Sequence, residues 1–341
     1  MQKWTVEQDI RATNIMKGIS IIAVVCLHVF TSIPNMYTNL PVRSLVIGVD
    51  QLLRFCVPLF VVISGYGLAS RYMRDLPVVQ YFRKRVLRLI PLYLVWSGIF
   101  LFLFSDWQHT PISSLVRTIL LGKADYHLYF VPMIIQLYVL FPLLRFLMNK
   151  GQKGTLFLTL FLQLGMYLFL TYASGHLIDY SSLIDQNHYA ICLNWIFYFG
   201  FGMWIAYREG SRVKNQKSKE SNVWVYSILA LVGIWLAYTT AAQDILHGVD
   251  PLIALRFTRF SVIVYTIGFT GLLFLLRKYF LAIPRFVQTA LAWCGNESYL
   301  IYLSHTVVLR IVFAIVVGVA FFSLLPISIL YSIAVWISTY L

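Results

Sequence analysis

Long apolar runs recur along the whole chain and constrain its fold more than any other feature of the sequence. About 20 apolar residues make an α-helix long enough to cross a bilayer, and a helix satisfies its own backbone polar groups in lipid. Ten such windows can be drawn, at 14–34, 45–70, 87–104, 126–147, 155–173, 189–207, 224–243, 258–276, 296–318 and 322–340. The pattern predicts an all-α polytopic membrane protein with about ten transmembrane helices.

The composition agrees with this prediction, because 60% of the residues are hydrophobic and 12% are charged. The net charge of +14 would also suit a nucleic-acid-binding protein, so the positions of the charges have to decide. If the N-terminus is cytoplasmic, 20 of the 27 Lys and Arg residues fall on inner segments. The positive-inside rule therefore predicts that both the N- and C-termini are cytoplasmic and that the partner is the lipid bilayer, with no nucleic acid.

A polar stretch at 208–222 interrupts the apolar pattern, and it is too short to form a domain. We expect a short cytoplasmic loop there and a single membrane domain over residues 1–341. The four cysteines are widely spaced, without the spacing of metal ligands or of a disulfide framework. No metal site is predicted.

Two ionisable residues, Lys17 and His28, lie in the first apolar window. They are eleven residues apart, slightly more than three helical turns, so they share one helix face and are separated by about 16 Å along the axis. Ionisable groups inside a bilayer are costly, which makes a functional role the first hypothesis and polar packing the alternative. We expect His28 to be the centre of the chemistry.

A basic run, Arg83-Lys84-Arg85-Val86-Leu87-Arg88, precedes the third apolar window. Arg85 and Arg88 are three residues apart and share a helix face. Two guanidinium groups in that arrangement can bind phosphate oxygens bidentately, which a single lysine cannot do. Ordinary positive-inside anchoring explains the run equally well.

A catalytic histidine usually needs a partner that orients its ring, and the ionisable candidates are Asp50, Asp125, His127 and Glu297. Asp50 is four residues before Arg54, so we expect these two to pair with each other. His305 lies beside Tyr302 in the ninth window, and catalysis and packing are both open to it. The remaining histidines fall on predicted outer loops, where we expect solvated side chains: His109, His176, His188 and His247.

Several of these features together resemble the acyltransferase 3 family of bacterial integral-membrane enzymes. The resemblance covers nearly the whole chain and rests on Lys17 to His28, Arg85-Val86-Leu87-Arg88, Val57-Pro58-Leu59-Phe60 with Ser64-Gly65-Tyr66, His127 to Pro132, and Ser298 to His305. Two features depart from the common pattern. Lys17 stands where the family usually has arginine, and Arg54 to Pro58 is more similar to the branch that modifies surface polysaccharides, with acetyl or succinyl groups.

The resemblance implies an enzyme that moves an acyl group from cytoplasmic acetyl-CoA, or another short acyl-CoA, to a hydroxyl of an extracytoplasmic glycan. The acceptor would be a surface glycan or a lipid-linked polysaccharide, and the location the bacterial cytoplasmic membrane. The implied catalytic residues are His28, His305 and His127, and the implied donor-binding residues are Lys17, Lys84, Arg85 and Arg88. His28 would act as a base or carry the acyl group itself.

Two other hypotheses about function stay open at this point. An exporter or flippase of a surface polysaccharide would also place Arg and His along a path through the membrane. Such a protein has no reason to bind coenzyme A, so donor binding separates it from an acyltransferase. A purely structural scaffold leaves Lys17, His28, Arg85 and Arg88 without a shared purpose.

Overall fold

The computed structural model describes residues 4–32, 40–176, 188–211 and 221–324, and these residues form helices and connecting turns without a β-strand. The α-helices in chain order are α1 (Val6–Ser32), α2 (Leu40–Leu53), α3 (Cys56–Tyr72), α4 (Val78–Phe104), α5 (Ile112–Leu120), α6 (Phe130–Lys150), α7 (Gln152–His176), α8 (Ile196–Ser211), α9 (Ser221–Leu246), α10 (Pro251–Ala254), α11 (Phe260–Leu276), α12 (Arg285–Asn296) and α13 (Ser298–Leu324). Short 3₁₀ turns lie at His188–Ala190, Cys192–Asn194 and Arg277–Leu281.

Eight helical segments in the described part of the chain are long and apolar enough to cross a membrane. They are Val6–Phe30, Val42–Tyr72, Val78–Phe104, Phe130–Lys150, Gln152–Tyr172, Val223–Leu246, Phe260–Leu281 and Ser298–Ile315. The predicted all-α, multi-pass architecture is therefore confirmed, and each of these segments overlaps one of the ten predicted windows.

The other two windows have different outcomes. The window 189–207 corresponds to two 3₁₀ turns followed by α8, whose 16 residues are fewer than a typical span requires. The window 322–340 lies almost entirely outside the described residues, as does most of the predicted loop 208–222. The count of ten spans and the cytoplasmic termini stay predictions.

Helix α1 approaches α12 closely because each helix presents a glycine to the backbone of the other. A Cβ atom on Gly18 would overlap the carbonyl oxygen of Leu291, and one on Gly295 would overlap that of Asn14. Lipid tails provide no hydrophobic drive between helices, so close backbone packing at small residues is a common way to join them. This contact, together with a 2.5 Å hydrogen bond from Ser20 to the Cys56 carbonyl of α3, fixes the orientation of α1.

An ion-pair network around Arg277 joins α1, α3 and α8 to the turn after α11. The Arg277 guanidinium donates to both carboxylate oxygens of Glu209, at 2.7 and 2.8 Å, and its Nε lies 3.0 Å from Asp9 Oδ1. The Tyr66 hydroxyl lies 2.7 Å from Asp9 Oδ2 and 3.0 Å from Glu209 Oε2. Because one guanidinium contacts two carboxylates, removing either acid changes the charge balance of a half-buried site.

Arg145 of α6 holds the C-terminal end of α3. Its guanidinium donates to three consecutive carbonyl oxygens, those of Tyr72 at 2.6 Å, Met73 at 3.3 Å and Arg74 at 3.0 Å. The last carbonyls of a helix lack partners within the helix, and a cationic donor there also matches the helix dipole. Arg145 therefore stabilises both the end of α3 and its contact with α6.

The segment between α9 and α11 is shaped by the backbone conformation of Gly248 and by hydrogen bonds of Arg259. Gly248 has φ +81°, a left-handed conformation that a residue with a Cβ seldom adopts. Arg259 donates to Asp244 at 2.6 Å and to the Ala254 carbonyl at 2.5 Å. This arrangement fixes α10 and its neighbours as one wall of the cavity described below.

Candidate active site

A cavity of about 1480 Å³ lies inside the helical bundle. Residues of α1, α3, α4, α6 and α13 form its walls, together with the loop before α6, the segment around α10 and the end of α12. Both Lys17 and His28 line it, as expected for two residues on one face of α1. The cavity therefore joins two groups that are about 16 Å apart by helical rise.

One end of the cavity is strongly basic. Its lining includes Lys17 and the guanidinium groups of Arg71, Arg85 and Arg88, a group that we call the basic end. Lys17 Nζ donates to Asn14 Oδ1 at 3.2 Å. Among the described residues that line the cavity, no Asp or Glu lies at this end. Four cations without a lining acid make this end suited to a ligand with several negative charges.

Arg85 lies near two tyrosine rings and has an unpaired donor within the described part of the chain. Its guanidinium carbon lies 5.7 Å from the ring centroid of Tyr81 and 5.3 Å from that of Tyr138. Its Nε is buried and has no hydrogen-bond partner in the described part of the chain. Buried donors are nearly always paired, so an unpaired one beside a cavity is a candidate ligand contact.

Lys84 is placed differently from the other predicted donor-binding residues. It is exposed and does not line the cavity, whereas Lys17, Arg85 and Arg88 all do. Arg71 also lines the cavity, although no motif or spacing in the sequence singles it out. Its position at the C-terminal end of an apolar helix was the available signal.

The three predicted catalytic histidines lie together, and we call them the histidine cluster. The ring centroid of His305 is 5.0 Å from that of His28 and 4.9 Å from that of His127. The centroids of His28 and His127 are 6.5 Å apart. His28 and His127 line the cavity, whereas His305 is buried and does not line it.

His305 has a defined tautomer. Its Nδ1 lies 2.7 Å from the Tyr302 carbonyl oxygen and 3.2 Å from that of Ile301. Carbonyl oxygens only accept hydrogen bonds, so Nδ1 carries a proton, and in the neutral ring Nε2 carries the lone pair. That Nε2 is buried and has no partner among the described residues.

Tyr126 contacts His28 directly, and sequence reasoning did not find it. Its hydroxyl lies 3.1 Å from His28 Nδ1, and the two ring centroids are 5.0 Å apart. The signal in the sequence was slight, because Tyr126 was merely the neighbour of two ionisable candidates, Asp125 and His127. Neither of those side chains takes the place beside His28 Nδ1 that Tyr126 occupies.

Asp125 is held by α13. Its carboxylate accepts hydrogen bonds from Arg310 at 2.7 Å and Thr306 at 2.9 Å. His127 Nδ1 lies 3.3 Å from the same carboxylate, within ion-pair distance but without hydrogen-bond geometry. Burial by itself raises the pKa of Asp125, but His127, Thr306 and the charge of Arg310 outweigh that effect, and the pKa lies below its usual 3.8.

The expected pairing of Asp50 with Arg54 is confirmed. Two donors of the buried Arg54 guanidinium contact the two oxygens of Asp50, at 2.7 and 2.9 Å. Arg54 also lines the cavity, and its guanidinium carbon lies 4.6 Å from the ring centroid of Phe257. Glu297, another candidate, is exposed at the C-terminal end of α12 and does not line the cavity.

The part of the cavity beyond Arg54 has mixed chemistry. It is lined by Asp250 and Arg256 and by the rings of His188 and Tyr189. The expectation that His188 would be solvated is wrong, because the residue is buried and its ring centroid lies 3.9 Å from that of Tyr189. The 3₁₀ turn at His188–Ala190 folds this loop residue into the bundle.

The described residues contain no group of three His, Cys, Asp or Glu side chains suited to hold a metal ion. The site is thus a basic end, a histidine cluster and a mixed polar and aromatic region, all within one cavity of a helical bundle. Such an arrangement is suited to bind an anionic ligand next to side chains able to transfer protons.

The family model described as an acyltransferase domain matches residues 10–341, essentially the whole chain. The chain belongs to the acyltransferase 3 family, and the predicted resemblance is confirmed. No match was found among curated proteins or among solved structures. With its apolar helices, the protein is a multi-pass membrane acyltransferase.

Proposed function

We propose that the protein transfers an acetyl group, or another short acyl group such as succinyl, from cytoplasmic acyl-CoA to a hydroxyl of an extracytoplasmic surface glycan. The observation that carries this proposal is the single cavity that contains both the basic end and the histidine cluster. The proposal includes ten spans, both termini in the cytoplasm, one domain over residues 1–341 and the bacterial cytoplasmic membrane as location. The basic end then opens towards the cytoplasm, where acyl-CoA is made.

The basic end would bind the phosphates of the donor. Arg85 and Arg88, one helical turn apart on α4, can each offer two donors to phosphate oxygens, and Lys17 adds a point charge. The long pantetheine arm would then extend along the cavity and carry the thioester towards His28. Lys84, which is exposed and does not line the cavity, would contribute only to attraction at the membrane surface.

The chemistry needs one proton acceptor near the thioester. In direct transfer, neutral His28 takes the proton of the acceptor hydroxyl while the hydroxyl oxygen attacks the thioester carbonyl carbon. The C–S bond breaks, the ester forms, and the thiolate takes the proton back from the imidazolium. Alternatively His28 attacks first and passes the acyl group on from an acyl-imidazole, with the same net reaction.

The test is acyl transfer across a sealed membrane. Purified protein in proteoliposomes receives labelled acetyl-CoA or succinyl-CoA on one face and a glycan acceptor on the other. Label on the separated acceptor, with release of coenzyme A on the donor face, is the expected result. Failure to transfer from either donor, by protein that is folded and correctly oriented, would reject the proposal and favour a polysaccharide exporter.

A further inference from the structure

We propose that Tyr126 is a positioning residue for His28 and that its loop is fixed for this purpose by α13. The inference rests on the proposed function, because it assigns Tyr126 a role in the orientation of the transferring histidine. It starts from the 3.1 Å contact between the Tyr126 hydroxyl and His28 Nδ1. Tyr126 and His28 are 98 residues apart in the chain, so the contact depends on the tertiary fold.

The other candidate partners are occupied elsewhere. Asp50 accepts two hydrogen bonds from Arg54, and Asp125 accepts from Arg310. His305 uses its Nδ1 proton on backbone carbonyls of its own helix. The Tyr126 hydroxyl, in contrast, lies within hydrogen-bond distance of His28 Nδ1.

A phenol hydroxyl can donate a hydrogen bond to a ring nitrogen or accept one from its N–H. We infer that the Tyr126 oxygen accepts from His28 Nδ1–H, which selects the nitrogen that can react. His28 then carries its lone pair on Nε2, which can take a proton or attack a carbonyl. The bond also limits rotation of the imidazole, and a reacting group in a fixed geometry transfers faster than one that samples several.

The residue before Tyr126 is anchored by three hydrogen bonds. The Asp125 carboxylate accepts from the backbone N–H of Tyr126 at 3.0 Å, from Arg310 at 2.7 Å and from Thr306 at 2.9 Å. Arg310 and Thr306 are four residues apart and lie on one face of α13. The loop therefore takes its position from α13 and not from its own short sequence.

The residue after Tyr126 is anchored as well. The Tyr302 hydroxyl of α13 donates to the backbone carbonyl of His127. Tyr126 is thus held on both sides by the same helix, which also carries His305. One element, α13, therefore positions the loop together with His127 and His305.

The exposure of Tyr126 makes the hydroxyl separable from packing. The side chain is 55% exposed and lines the cavity, so replacing it by phenylalanine removes one oxygen without opening a void. Tyr279 is also 55% exposed and lies outside the cavity lining. Tyr279→Phe is therefore a matched control for Tyr126→Phe.

The first test is kinetic. In the proteoliposome assay, Tyr126→Phe is expected to lower kcat by about 10- to 100-fold while the KM for acetyl-CoA stays within about twofold. Tyr279→Phe should match the wild type, and both variants should keep its thermal midpoint. A kcat for Tyr126→Phe within twofold of the wild type would overturn the inference and leave the proposed function intact.

The second test does not depend on activity. The ¹⁵N chemical shifts of labelled histidine side chains, assigned for His28 by its loss in His28→Asn, report which nitrogen carries the proton. The expected result is a protonated Nδ1 in the wild type and a mixed state in Tyr126→Phe. Identical His28 shifts in both proteins would overturn the inference. If the wild type shows the expected shifts but transfers no acyl group, the proposed function fails while the contact itself is verified.

Discussion

Replacing Arg85 and Arg88 one at a time by glutamine should weaken donor binding by different amounts. A hydrogen bond to a charged group contributes about 1.5–3 kcal/mol, and about 1.4 kcal/mol corresponds to a factor of ten. Arg85 is half-buried between two tyrosine rings with an unpaired Nε, so its loss should act near the upper limit. Arg88 is exposed, so solvent screening should bring its effect to the lower limit.

The expected result is a rise in the KM for acetyl-CoA of about 100-fold for Arg85→Gln and about tenfold for Arg88→Gln. The value of kcat at saturating donor should change little, because these residues belong to the basic end, where Lys17 lies about 16 Å from His28 along α1. The assay is initial-rate transfer of labelled acetyl over a range of donor concentrations, with direct coenzyme A binding by calorimetry.

Arg83→Gln is the matched control, because Arg83 lies on the same helix and is exposed without lining the cavity. It removes the same charge from the same rim of the protein, and its KM should stay near that of the wild type. An equal rise in KM for all three variants would refute the reasoning, since it would show that the total charge of the rim matters and the cavity does not.

Three further predictions concern stability, measured as the midpoint of thermal unfolding in detergent. Asp125→Asn should lower the midpoint at neutral pH. Because the pKa of Asp125 is depressed in the folded protein, the carboxylate stabilises the fold above its usual pKa of 3.8, and the difference between variant and wild type should shrink below about pH 4. A difference that stays constant with pH would contradict this assignment. Glu209→Gln should lower the free energy of unfolding by about 1–3 kcal/mol, because it weakens the ion-pair network around Arg277. The loss should be smaller than that from breaking a fully buried ion pair, because Asp9 still contacts the Arg277 guanidinium. Arg145→Met should lower the free energy of unfolding by about 1–3 kcal/mol, because three carbonyl oxygens at the end of α3 lose their hydrogen-bond donor. An unchanged midpoint would mean that water replaces the guanidinium as the donor.

Features that depend on local spacing were predictable from the sequence. The apolar windows identified the helices because a span must be about 20 residues long, whatever its neighbours are. The shared face of Lys17 and His28 and the pairing of Asp50 with Arg54 follow from the helical repeat alone. In the structure both members of the first pair line one cavity, and those of the second are in bidentate contact.

Features that depend on contacts between distant segments were not predictable in the same way. The contact of Tyr126 with His28 and the network of Arg277 with Asp9 and Glu209 join residues on different helices. No periodicity encodes which helices are neighbours. The burial of His188 also depends on tertiary packing, whereas its place in a predicted outer loop indicates only a solvated side chain.

The most direct test of the central claim is acyl transfer by His28→Ala in sealed proteoliposomes, with coenzyme A binding measured on the same preparation. The account predicts a loss of transfer of at least about 1000-fold that no donor concentration restores, because the proton acceptor is gone. It also predicts coenzyme A affinity within a few-fold of the wild type, because the basic end is unchanged. Transfer at the wild-type rate in folded His28→Ala protein would contradict the account and exclude His28 from the chemistry.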